Sequence, residues 1–162
     1  MTTATRDSLA PTLETKYRST GQKAGVTSIA PFHVDPDVVD RGVRGHQNTQ
    51  NDLARFLAES GLQPLSPGPG DPGFDVGWWS ANTFCVAEVK SLTAANETSQ
   101  LRFGVGQVLD YVHLIRRSGR TVLPVLAVER QPSDPRWTDL CLSHGIILTW
   151  PPEFPPLGGG PH

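Results

Sequence analysis

Two acidic residues and a lysine lie near the ends of one apolar stretch, FDVGWWSANTFCVAEVKS, at residues 74–91. Asp75 is near its start, and Glu88 and Lys90 stand two residues apart near its end. The apolar and aromatic residues between them predict a β-hairpin. Carboxylates and an ammonium brought together in this way could bind a metal ion and act on a phosphate.

The register of the hairpin decides whether these side chains meet. With a two-residue turn at residues 81–82, Asp75 faces Glu88 across the strands, at a Cβ separation of about 4.5–5.5 Å. Side chains alternate between the faces of a sheet, so Lys90 lies on the same face as Glu88. A three-residue loop would instead place Asp75 opposite Ala87.

Opposed carboxylates repel each other, and a divalent cation between them would remove that repulsion. Mg²⁺ binds one or two carboxylates together with water and phosphate oxygens, and we expect Mn²⁺ to substitute for it. Lys90 could then orient or deprotonate a water molecule, or stabilise charge that develops on a phosphate. The alternative is that Lys90 only neutralises Glu88 at a strand end.

The helix that follows the hairpin supplies more polar groups. Gln107 and Tyr111 are four residues apart and share a face, where they could bind a phosphate or a water molecule beside the metal. The alternative is a half-buried Tyr111 beside a solvated Gln107. Arg102 could contact a backbone phosphate, or it could be an ordinary solvated residue.

The first predicted helix contains His46 in an unusually polar stretch, VRGHQNTQND. This histidine could bind a water molecule of the metal or a phosphate, with Arg44 as a neighbouring phosphate contact. The alternative is a structural or solvated histidine.

Two tryptophans, Trp78 and Trp79, follow Asp75 in the first hairpin strand. Strand alternation directs one toward the core and the other toward the opposite face. Packing is the favoured interpretation, and stacking on a nucleic-acid base is the alternative.

The composition narrows the function classes. The formal net charge is −2, so nucleic-acid binding cannot be argued from bulk charge and must rest on a local site. Cys85 and Cys141 are far apart in sequence and predict buried free thiols in a reducing compartment. The sequence shows no signal peptide and no run as apolar as a membrane span, so we expect a soluble, cytoplasmic protein.

The pattern along the chain predicts one domain and two flexible ends. Residues 1–36 are expected to form a mobile arm, residues 37–150 the folded domain and residues 151–162 a disordered Pro/Gly tail. Within the domain the predicted order is helix, hairpin, helix, strand, helix, strand. This order predicts an α/β domain with a central mixed β-sheet flanked by helices. Pro124 weakens the prediction of the strand that contains it.

The order of these motifs resembles the PD-(D/E)XK nuclease superfamily, which has the restriction-endonuclease-like fold. Asp75 followed by Glu88-Val89-Lys90 is similar to its D…(D/E)-x-K signature. The resemblance implies that Asp75 and Glu88 bind the metal with the Val89 carbonyl as a third ligand, and that Lys90 is catalytic. Phe74 stands where the signature has proline.

Gln107 and Tyr111 are similar to the Q-x-x-x-Y motif of the RecB-type branch of that superfamily, and His46 occupies a first-helix position where many members carry an acid. The resemblance implies a Mg²⁺-dependent nuclease that hydrolyses DNA, in restriction, defence or DNA processing; an RNA substrate stays open. A homodimer or a partner subunit would supply targeting. The alternative function is a non-catalytic nucleic-acid- or protein-binding module that retains the fold.

Overall fold

The computed structural model describes residues 10–20 and 36–157, with side chains from Arg41 onward in the second range. The elements are α1 (Pro36–Glu59), β1 (Val76–Ser80), β2 (Thr83–Lys90), α2 (Glu97–Arg116), β3 (Thr121–Val128), α3 (Arg136–Ser143) and β4 (Ile147–Thr149). Their order is the predicted one. The prediction of an α/β domain with a mixed sheet and flanking helices is confirmed.

The sheet has the strand order β1-β2-β3-β4. β1 runs antiparallel to β2, and the other neighbouring pairs are parallel. The β1–β2 register runs from Ser80 opposite Thr83 to Val76 opposite Ala87, which confirms the two-residue turn. Ala81 takes a φ of 50° in that turn, a conformation in which glycine or asparagine is more common.

Two apolar clusters cover the two faces of the sheet. One joins α2 and α3 to residues such as Phe84, Val86 and Leu126. The other joins α1 to alternate residues of the same strands, such as Cys85 and Ala87. The period of two in β2 therefore sends successive side chains to opposite layers, and the sheet lies between α1 and the α2–α3 layer.

Pro124 lies inside β3 although β3 is an internal strand. It pairs with Val86 of β2, whereas the β3–β4 register begins at Val125 opposite Ile147. At Pro124, β3 therefore pairs with β2 and not with β4. Proline is tolerated at such a position, as it is in an edge strand, because it has no N–H to donate to a second neighbour.

Residues 10–20 pack against the domain, which corrects the prediction of a mobile arm for this part of the chain. Lys16 forms a β-bridge with Leu65, and Leu65 forms one with Gly77 of β1. Leu13 is fully buried, and its backbone N–H donates to the carboxylate of Asp71 at 3.1 Å. Leu65 thus covers part of the outer edge of β1, and residues 10–20 pair with the other side of Leu65. The rest of the predicted arm, residues 1–9 and 21–35, lies outside the described residues.

The tail also contributes to the core. Phe154 is buried and packs against Phe56 of α1, with ring centroids 5.2 Å apart. Residues 151–157 therefore do not form a disordered tail, and residues 158–162 lie outside the described part. Within the described ranges, no helix is long and apolar enough to cross a membrane.

Both tryptophans of β1 serve packing. Trp78 is buried in the α1 layer. Trp79 packs edge-on against Phe84 and donates its indole N–H to the Leu13 carbonyl at 3.1 Å. The favoured interpretation of the tryptophans, packing, is confirmed. The two cysteines are free and buried, as predicted.

Candidate active site

Asp75 and Glu88 lie together where β2 ends and β1 begins. The regular pairing of β1 with β2 ends at Val76 opposite Ala87, so the predicted Asp75–Glu88 pair is not formed. The Asp75 N–H instead donates to the Ala87 carbonyl at 3.1 Å. The Asp75 Oδ2 accepts a hydrogen bond from the Val89 N–H at 2.8 Å. The carboxylate of Asp75 is therefore held at the end of β2 by the backbone of Val89, the residue that follows Glu88.

Two residues of α1 hold Asp75 from one face of the sheet. The Nε2 of His46 lies 3.2 Å from the Asp75 Oδ2, and the Gln50 amide donates to the Asp75 carbonyl at 3.0 Å. Burial disfavours the charged imidazolium of His46, but the hydrogen bond and charge of Asp75, with the charge of Glu88, outweigh it and raise the pKa of His46. His46 therefore favours the charged form beside Asp75.

Gln50 is a site residue that sequence reasoning did not single out. It follows His46 by four residues, so both side chains share one face of α1. Its side chain is buried, and no described residue hydrogen-bonds its Oε1. The signal in the sequence was a glutamine on the buried face of an amphipathic helix, which is unusual unless the amide has a partner.

Glu88 receives its partners from the opposite face of the sheet. The Lys90 Nζ lies 2.7 Å from its Oε1, and the Tyr111 hydroxyl donates to its Oε2 at 2.9 Å. The side chain of Glu88 is 5% exposed and that of Lys90 is 14% exposed. Burial and the charge of Asp75 raise the pKa of Glu88, although Lys90 and Tyr111 favour its charged form.

The helix α2 positions Tyr111 through a short chain of contacts. The side chains of Gln107 and Tyr111 are neighbours on one face of α2, as expected for residues four apart. Burial and the charge of Glu88 raise the pKa of Tyr111, so its hydroxyl stays protonated and donates. Gly104 lets α2 approach the sheet closely, because a Cβ at this position would lie 2.5 Å from the Leu126 Cδ1 and 3.2 Å from the Lys90 Cγ.

The two predicted phosphate-binding arginines are not brought to this cluster. Arg44 precedes His46 by two residues, which is about 200° around the helix axis, and Arg102 precedes Gln107 by five, about 140°. Both are exposed. Their positions place them on faces of α1 and α2 that differ from the faces of His46 and Gln107.

The donor atoms at this end of the sheet fit a small, hard cation that keeps several waters. No group of three or more His, Cys, Asp and Glu side chains in the described part of the chain is arranged to hold a metal, so the carboxylates of Asp75 and Glu88 need other oxygen ligands. The N–H and C=O of a strand residue point to the same side, and the Val89 N–H points to Asp75. The Val89 carbonyl therefore lies on the side where β1 has already ended, available to a cation such as Mg²⁺.

A cleft of about 410 Å³ opens beside the cluster. It is lined by Thr20, Gly42, Val43, His46, Gln47, Lys90, Ser91 and Gln100. Glu129 holds the backbone on either side of the lining residue Ser91, because its carboxylate accepts the Leu92 N–H at 2.9 Å and its N–H donates to the Lys90 carbonyl at 3.0 Å. Sequence reasoning did not identify Glu129, which stands just after β3 without a local motif. The cleft can admit a substrate between α1 and α2.

Comparison with known proteins does not assign this chain to a family. No family model matches the chain, and no curated protein matches it. A solved structure described as the crystal structure of a protein of unknown function, AF1548, aligns at a TM-score of 0.48 and 16% identity. The alignment covers 68% of this chain and 60% of that protein, so the chain spans three fifths of its length. This similarity carries no functional argument.

Proposed function

We propose that this protein is a metal-dependent nuclease that hydrolyses phosphodiester bonds, with DNA as the substrate. The observation that carries the proposal is the buried Lys90–Glu88 ion pair beside Asp75. Burying an ion pair costs desolvation energy that packing alone would avoid, and a second carboxylate next to it adds repulsion. Perturbed charges gathered beside a cleft are typical of functional sites.

Each residue has a role in this proposal. Lys90 stabilises the charge that develops on the phosphate, since its ammonium is already fixed beside Glu88. Asp75 and Glu88, with the Val89 carbonyl, would hold Mg²⁺ or Mn²⁺, which when bound polarises a phosphoryl oxygen. Tyr111 orients Glu88.

His46 and Gln107 act indirectly, through other residues of the site. His46 orients Asp75 through the contact with Oδ2, and Gln107 orients the Tyr111 hydroxyl. Such indirect contacts fix the direction in which a metal-binding carboxylate points. A second copy of the chain or a partner subunit would supply targeting, in restriction, defence or DNA processing.

The experiment is a cleavage assay on plasmid and single-stranded DNA in Mg²⁺ and in Mn²⁺. We expect wild-type protein to cleave in one of these metals, and Lys90→Ala and Asp75→Asn to lose roughly 10²-fold or more of that activity. Lys16→Ala and Asp110→Asn are matched controls, because both residues are exposed and lie outside the site. Cleavage by Lys90→Ala at the wild-type rate would contradict the proposal.

A second candidate is a non-catalytic nucleic-acid- or protein-binding module with this fold. One observation favours it: both oxygens of Glu88 already have hydrogen-bond partners within the protein, Lys90 and Tyr111. This candidate expects DNA binding that is insensitive to Mg²⁺ and Mn²⁺, with no cleavage in any metal. The same assay, run with a binding measurement, separates the two functions.

A further inference from the structure

We propose that Phe103 is a stacking platform for an unpaired base, so that the site takes single-stranded nucleic acid in preference to a duplex. The inference rests on the proposed function, because it names the substrate class of the same site. Phe103 is 68% exposed on α2. It is an aromatic ring that no described residue covers, in a domain whose two β1 tryptophans are both used for packing.

Phe103 lies one helical turn from Gln100, which lines the cleft. It follows Gln100 by three residues and precedes Gln107 by four, so the three side chains share one flank of α2. Gln100 lines the cleft with Lys90, and Gln107 contacts Tyr111. The next residue, Gly104, lies against the Lys90 side chain. A base stacked on Phe103 would have its own backbone next to Lys90.

The charge of the cleft argues against duplex binding through phosphates. Among the described residues that line it, His46 and Lys90 are the two that can carry positive charge. His46 is already paired with Asp75, and Lys90 with Glu88. Proteins that hold a duplex do so mainly by neutralising many phosphates with lysine and arginine, and this cleft has little charge to offer.

Stacking adds affinity for a single strand that a duplex cannot use, because the bases of a duplex are already stacked on one another. Base–aromatic stacking is independent of base identity and serves single strands, whose bases are free to leave their neighbours. The remaining lining side chains include Thr20, Gln47, Ser91 and Gln100, which offer hydrogen bonds to a sugar-phosphate backbone or to a base edge. A neutral polar cleft with one exposed aromatic ring at its rim thus fits an unpaired nucleotide.

The test compares Phe103→Ala, Phe103→Trp and Leu109→Ala in the full chain. Leu109 is an exposed apolar residue of the same helix, with 40% of its surface exposed. It follows Phe103 by six residues and points about 120° away from it around the helix axis, so it is a matched control. Binding is measured in Ca²⁺, without Mg²⁺ or Mn²⁺, by the fluorescence of a short single strand that contains 2-aminopurine. Cleavage is measured in Mn²⁺ on the same strand and on its duplex.

We expect wild-type protein to quench the probe and to cleave the single strand faster than the duplex. Phe103→Ala should abolish the quenching and weaken single-strand binding roughly 5- to 150-fold. Phe103→Trp should retain both, and Leu109→Ala should change binding less than twofold.

The inference is overturned if Phe103→Ala binds and quenches like wild type, or if wild-type protein does not bind the single strand. Binding with quenching but no cleavage in any metal would contradict the nuclease proposal and leave the stacking platform supported. Cleavage of the duplex and the single strand at equal rates, unchanged in Phe103→Ala, would support the nuclease and refute the platform.

Discussion

At the residue scale, Glu88 is a buried carboxylate with a partner on each oxygen and a pKa that is still raised. Burial and the nearby Asp75 outweigh the help of Lys90 and Tyr111. The ionised form of Glu88 is therefore unfavourable in the protein alone, first because the carboxylate is buried and then because Asp75 is close. A bound cation would favour that ionised form, which is the physical reason for expecting one.

The hydrogen bond from Tyr111 to Glu88 gives a first prediction. Tyr111→Phe removes a donor that lowers the pKa of Glu88, so that pKa rises further. Because the proposed nuclease activity would require the ionised carboxylate, the acidic limb of the pH–rate profile should move to higher pH. We expect kcat/KM near neutral pH to fall roughly 10- to 100-fold.

The control for this prediction is Tyr17→Phe, since Tyr17 bonds Asn51 instead of a site carboxylate. Its pH–rate profile should match the wild-type profile. An acidic limb of Tyr111→Phe that coincides with that of wild type would show that Tyr111 does not set the ionisation of Glu88.

His46 gives a prediction for stability. Its pKa is raised in the folded protein, so its contribution to stability is fully present below the unfolded pKa of about 6.5 and is lost as pH rises through the folded pKa. In metal-free buffer, the free energy of unfolding of wild type minus that of His46→Ala should shrink from mildly acidic to alkaline pH. Urea titrations across that range measure it, and a difference that grows with pH would contradict the pairing with Asp75.

At the element scale, the close approach of α2 to the sheet positions both Lys90 and Tyr111. Gly104→Ala places a methyl group against the buried Leu126 and the stem of Lys90. Overpacking of this kind costs about 1–3 kcal/mol, more than the helix gains from alanine. We expect lower stability in urea and reduced cleavage.

The matched control is Gly106→Ala on the same helix, where a Cβ would meet nothing within 4 Å. This change should stabilise the protein by about 0.5–1 kcal/mol and leave cleavage unchanged. Equal stability of the two variants would mean that α2 can shift away from the sheet without cost.

Much of this element arrangement follows from local patterns. Helical periodicity predicted α1 and α2, and the two-residue turn predicted the register that brings Asp75 toward Glu88. The exact Asp75–Glu88 pair was not reached, because the ladder ends one residue earlier and the Asp75 N–H bonds Ala87 instead. Turn length determines a register, but it does not predict where the pairing stops.

The parts that could not be predicted depend on contacts between residues far apart in sequence. Leu13 and Asp71 are 58 residues apart, and Gln50 and Asp75 are 25 apart. Neither pair leaves a periodic signal in its own stretch. A sequence rich in Thr, Ser and Pro therefore predicted a mobile arm. The burial of Leu13 and the β-bridge between Lys16 and Leu65 nevertheless hold residues 10–20 on the domain.

At the scale of the whole molecule, Asp71 connects residues 10–20 to the domain. Its carboxylate accepts backbone N–H groups from Thr12 at 2.6 Å, Leu13 at 3.1 Å and Gly68 at 2.8 Å. Asp71→Ala should lower the free energy of unfolding by about 2 kcal/mol, because these donors lose a charged acceptor.

Limited trypsin digestion gives an independent measure of the same change. Cleavage after Lys16 and Arg18 should be faster in Asp71→Ala than in wild type. Asp110→Ala, at an exposed position of α2, is the control and should be digested like wild type. Unchanged digestion of Asp71→Ala would show that the packing of Leu13 alone holds the segment.

The central claim is that the carboxylates of Asp75 and Glu88 form a metal site. The most direct test is an anomalous-difference map from a crystal soaked in Mn²⁺, with Asp75→Asn crystals soaked alongside. We predict a peak bound by the two carboxylates and the Val89 carbonyl in wild type, and none in Asp75→Asn. An empty position between Asp75 and Glu88, at a Mn²⁺ concentration that supports cleavage of DNA, would contradict the account.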